Sequence, residues 1–78
     1  MNKISLCQGK EGREYLISNI AINDSKLKVH LDNLFIKENE KIKIIKKSYR
    51  SKAFIVNVFN VNYAIDKNIC ERIIVYDL

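Results

Sequence analysis

Apolar and polar residues alternate along most of this chain, and a few polar clusters cut the alternation into short elements. From Arg13 to Ile22, Tyr15, Ile17, Ile20 and Ile22 share an apolar face against Glu14, Ser18, Asn19 and Ala21, which predicts a first strand. The phase slips at Ser18-Asn19, the mark of a bulge. Asn23-Asp24-Ser25 then supplies an N-cap, and Leu27, Leu31 and Leu34 recur at helical spacing with Val29 beside them, predicting a short amphipathic helix. Asn39 tolerates left-handed backbone angles and lets the chain turn back. A second strand over Lys41 to Lys46 points Ile42 and Ile44 inward and Lys41 and Lys43 outward. A third, Ala53 to Phe59, sets Phe54, Val56 and Val58 against Ile55, Asn57 and Phe59, and the two pair through the Lys47 to Lys52 loop. Asn60 turns the chain tightly into a fourth strand, Asn62 to Ile65. Asp66 caps a helical turn from Lys67 to Glu71, and β-branched Arg72 to Tyr76 forms the last strand. Gly9 and Gly12 bracket a turn ahead of the first strand.

Five short strands, one helix between the first two and a helical turn before the last describe a mainly β fold, a small, partly open barrel of the SH3-like or OB-like class. All 78 residues are expected in a single domain, too small for a deep catalytic cleft, which argues against an enzyme. No apolar run approaches the roughly 18 residues that a membrane span needs. The start, Met1 to Cys7, has no apolar signal region, so the chain is read as cytoplasmic. Cys7 and Cys70, at opposite ends and outside any CxxC spacing, read as reduced thiols rather than a disulfide or a zinc site.

Charge adds one feature. The formal net charge is +5, yet Ile, Lys and Asn together make 33 of 78 residues, so part of the basicity is compositional bias. Lys41 to Lys52, however, holds Lys41, Lys43, Lys46, Lys47, Arg50 and Lys52 without an acid, around Tyr49. Such a loop suits phosphates and a stacked base; the plainer reading is a solvated hairpin whose lysines guard a sheet edge. His30 stands without a second soft ligand at metal spacing, and Glu38 and Glu40 sit between lysines, so neither a metal nor a cofactor is expected. Phosphate loops, base-paired nucleophiles and HExxH are absent.

The order of elements and the residues at their turns resemble the ferrous iron transport protein A (FeoA) family, small cytoplasmic SH3-like barrels, from about Ile4 to Val75. The family's opening L-x-P-G-x-x-G is matched by Leu6-Cys7-Gln8-Gly9-Lys10-Glu11-Gly12. Its L-x-x-L-G-hydrophobic-x-x-G is matched by Leu31-Asp32-Asn33-Leu34-Phe35-Ile36-Lys37-Glu38-Asn39. Its C-terminal pattern is similar to the stretch from Val56 to Val75. Two family glycines become Asn39 and Asn60, residues that also accept positive φ. Phe35 replaces a third family glycine, so either positive φ is not needed there or the loop is rebuilt. Asp66 replaces an arginine, the proline of the loop after the second strand is lost, and Cys70 takes an alanine position, as a small buried thiol would.

The resemblance implies a non-enzymatic accessory of ferrous iron transport, acting at the inner face of the membrane on the permease FeoB. Recognition is then expected at the loops flanking the second strand. Phe35 and Ile36 would supply apolar contact, Tyr49 and Arg50 an anchor pair, and Lys41, Lys43, Lys46, Lys47 and Lys52 a basic surface toward anionic lipid. Phe59 adds to the apolar surface if it points outward. Two other readings stand beside this one: a basic barrel that binds nucleic acid, and a regulatory module like the C-terminal domain of iron-dependent repressors.

Overall fold

A computed structural model describes residues 2–77. Six strands form one antiparallel sheet: β1 (Asn2–Ser5), β2 (Glu14–Ile20), β3 (Lys41–Ser48), β4 (Ala53–Val58), β5 (Val61–Asp66) and β6 (Ile73–Asp77), in the order β1-β6-β2-β3-β4-β5. Helix α1 (Ser25–Asn33) lies between β2 and β3, the single-turn helix α2 (Lys67–Cys70) lies before β6, and a 3-10 turn covers Leu6–Gln8. The arrangement is compatible with a small SH3-like fold.

The expected five strands are thus six. The additional one, β1, has no apolar alternation of its own; β6 supplies its ladder, from Asn2 opposite Asp77 to Ser5 opposite Ile74. Leu6, in the turn that follows, is fully buried and joins the core from outside any strand. The bulge expected near Ser18-Asn19 is present as a register shift against β6 between Ile17 and Asn19. A second shift, between Ile44 and Lys46, carries β3 two residues beyond the expected end and turns Ile45 outward. Phe59 leaves the third strand altogether: it and Asn60 have φ of 50° and 63°, the two positive values that a tight primed turn between β4 and β5 requires.

The core is one face of this sheet. Tyr15 and Ile17 of β2, Ile42 and Ile44 of β3, Phe54, Val56 and Val58 of β4, Ile65 of β5 and Ile73 and Val75 of β6 are all buried. Leu31 of α1 and Cys70 of α2 close it, and Leu27 and Leu34 pack at its margin, whereas Val29 faces solvent. Asp24 caps α1 by accepting from the amides of Lys26 and Leu27, and Asp66 caps α2 by accepting from that of Asn68. Gly9 is buried against this core: a Cβ there would lie 2.8 Å from both Ile44 Cδ1 and Tyr15 Cε2, so the opening turn must pass the sheet without a side chain.

Candidate interaction surface

Helix α1 ends in a Schellman motif. The amide of Phe35 donates to Asp32 and that of Ile36 donates back to Leu31, both at 2.9 Å. This closure requires a left-handed residue at position 35, and Phe35 adopts φ of 65°. The backbone requirement is the one a glycine would meet; the chain meets it with an aromatic side chain instead. The loop keeps its shape because Ile36, fully buried, docks beside Leu31, the apolar contact that accompanies this motif. Ile36 is therefore a core residue, which corrects its expected place on the contact surface: the motif turns Phe35 out and Ile36 in.

Phe59 also stands in a left-handed turn and also points outward. The two rings lie 4.9 Å apart at 59°, with Phe35 48% and Phe59 62% exposed. Lys37 sits over the Phe35 ring at 5.7 Å, and Val61, 47% exposed, extends the apolar area along β5. A shallow cleft lined by Glu14, Asn39, Glu40, Lys41, Asn57, Phe59 and Asn60 borders the patch. Its floor is ordered by the Asn57 amide group donating to Asn62 across the strands at 2.8 Å.

Tyr49 and Arg50 do not join this patch. They occupy the loop at the other end of the β3–β4 hairpin, and eight residues of strand at about 3.3 Å each put the two ends more than about 20 Å apart. Tyr49 is 63% exposed; its ring meets Phe54 edge-on at 5.9 Å, and Lys67 lies over it at 5.6 Å. The amide of Lys67 donates to the carbonyl of Lys52, so Arg50, Lys52 and Lys67 make this end basic.

The five lysines named from the sequence differ in their surroundings. Lys46 and Lys52 are exposed, Lys43 is half-buried, and Lys41 lies 4.0 Å from Glu14. Lys47 is committed to the fold: its ammonium donates to the carbonyl of Cys7 at 2.9 Å and its amide to Glu11 at 2.6 Å. Cys70 is fully buried, and burial pushes its thiol up to about 12 from 9.0; burial also raises Cys7, which is half-buried. Among the described residues, no three His, Cys, Asp or Glu side chains converge as a metal site, and no helix is long and apolar enough to cross a membrane.

Sequence reasoning missed the part played by Val61 and Lys67. Their signal lay in the turn chemistry, since a two-residue turn at Phe59-Asn60 starts β5 at Val61 and brings its far end back beside Tyr49.

Comparison with known proteins agrees with the fold. An iron uptake regulatory protein (FeoA) solved by crystallography superposes with a TM-score of 0.83 at 19% identity, each chain covered completely. A FeoA-like protein from Clostridium acetobutylicum superposes at 0.82 with 17% identity, covering all of this chain and 90% of that one. A manganese-dependent transcriptional repressor superposes at 0.89 with 12% identity, but this chain spans only 42% of it. At these identities the likeness is one of fold. No curated protein matches the sequence. The FeoA domain family matches residues 4–77, and the chain belongs to that family.

Proposed function

We propose that the chain is a non-enzymatic accessory of ferrous iron transport, a cytoplasmic module whose partner is a FeoB-like membrane permease. The observation that carries this reading is the Phe35–Phe59 pair. Two aromatic residues in left-handed backbone, side by side and exposed, cost the fold more in backbone strain than their ring contact returns. Strain held at a surface of this kind is characteristic of recognition. Outward lysines such as Lys46 then orient the module near anionic headgroups and speed encounter.

The exposed Tyr49 with Lys67 over its ring, in a loop that also carries Arg50 and Lys52, favours a second reading, a single-stranded nucleic-acid site. The likeness to one segment of metal-dependent repressors supports a regulatory contact as a third. Binding to a permease cytoplasmic fragment and to a mixed-sequence oligonucleotide, each in low and in moderate salt, separates the first two. Contact through phosphates weakens about 1,000-fold or more between 50 and 200 mM salt when six or more phosphates are engaged. The expected result is a fragment interaction that salt changes far less and that survives Lys43→Glu with Lys46→Glu. A tight, salt-steep oligonucleotide complex lost in that variant would overturn the reading.

A further inference from the structure

Strand β5 is an outer strand of the sheet: it pairs with β4 on one side, and among the described residues no strand pairs with the other. Open edges are usually guarded by lysine, proline or a bulge. From Val61 to Ile65 this one reads Val-Asn-Tyr-Ala-Ile, without charge, proline or register shift; the strand's one charge is Asp66 at its last position, whose carboxylate caps α2 by accepting from the amide of Asn68. Its core-facing residues are also incompletely covered. Val61 and Tyr63 point the same way as Val58 and Val56, their partners on β4, yet Val61 is exposed and Tyr63 only half-buried, as residues are that lack a further neighbouring strand. The two ends of the edge differ in chemistry. It begins at the apolar patch of Phe35, Phe59 and Val61 and ends beside Tyr49 and Lys67, with Arg50 and Lys52 in the adjoining hairpin loop.

We infer that β5 is a docking edge for an extended peptide segment of a partner protein, added as a seventh, antiparallel strand. Running antiparallel to β5, that segment enters at the basic end and leaves at the aromatic one. It therefore carries carboxylates toward its N-terminus and apolar or aromatic residues toward its C-terminus. A second copy of this chain is the poorer occupant, because each copy carries a net charge of +5 and two such copies repel. The inference rests on reading the chain as an interaction module. It also gives the distant pair Tyr49 and Arg50 a role in the same contact as Phe35, because β5 spans the distance between them.

The test uses the full chain, labelled for amide NMR, and the synthetic peptide Glu-Glu-Thr-Val-Thr-Val-Phe. Three control peptides accompany it: the reversed order, the same order with Lys for Glu, and the same sequence with alternate amides N-methylated. The expected result is saturable shifts along Val61 to Ile65 and slowed exchange of amides in that strand. Each control should bind about tenfold more weakly or worse, a difference of 1.4 kcal/mol. Equal binding of the N-methylated peptide, or shifts confined to other strands, would overturn strand addition. So would β5 amides already protected in a concentration-dependent way, which would identify a second copy as the occupant. If the peptide fails while the permease fragment still binds through Phe35 and Phe59, strand addition falls and the functional reading stands. If neither binds, both fall.

Discussion

Phe35 and Phe59 set the terms at the scale of single residues. Left-handed backbone costs an ordinary L-residue about 1–2 kcal/mol, and asparagine much less. The contact between the two rings returns only about 0.5–1.5 kcal/mol. Replacing both, Phe35→Asn with Phe59→Asn, is therefore expected to leave the fold at least as stable, with a gain near 1 kcal/mol in urea unfolding. A core aromatic pair would instead lose several. Cys70 gives a second residue-scale expectation. Its thiol, raised to about 12 in the fold, keeps its proton between pH 9 and 12 while the unfolded chain releases one. Stability must then fall with rising pH across that window, by at most about 1.4 kcal/mol per unit from this group. Cys70→Ala should flatten the alkaline limb relative to the parent; an identical slope in both would mean the thiol is not held in apolar surroundings.

The elements differ in how plainly the sequence announces them. Strand β4 and the first half of β3 were legible because their inward residues alternate, β5 because Asn60 marks the turn before it, and α1 and α2 because Asp24 and Asp66 cap them. Strand β1 was not, because a ladder supplied by β6 from the far end of the chain leaves no periodicity in Asn2–Ser5. The surface was legible only in part. Phe35 is exposed and Ile36 buried, since the Schellman closure of α1 sends adjacent residues to opposite sides. Sequence proximity likewise could not show that the length of β3 separates Phe35 from Tyr49. Helix α1 buries a single residue completely, Leu31, so its attachment depends on that side chain. Leu31→Ala is expected to cost about 2–4 kcal/mol, read from the shift of the urea midpoint. A variant within about 0.5 kcal/mol of the parent would show that α1 contributes little to the core.

For the whole molecule the question is which surface recognises the partner. A net charge of +5 acts at long range and fades with salt, so it governs approach and orientation. The apolar patch acts only on contact, where buried aromatic groups dominate interface energies. On the proposed reading, recognition at the patch and stability of the fold pull in opposite directions, since the substitutions that relieve backbone strain also remove the rings. That opposition provides the most direct test. Titrating the parent and the Phe35→Asn, Phe59→Asn chain against a FeoB-like permease cytoplasmic fragment should show affinity falling at least about tenfold in the variant, while its unfolding midpoint holds or rises. Unchanged affinity in a folded variant would contradict the assignment of recognition to this surface.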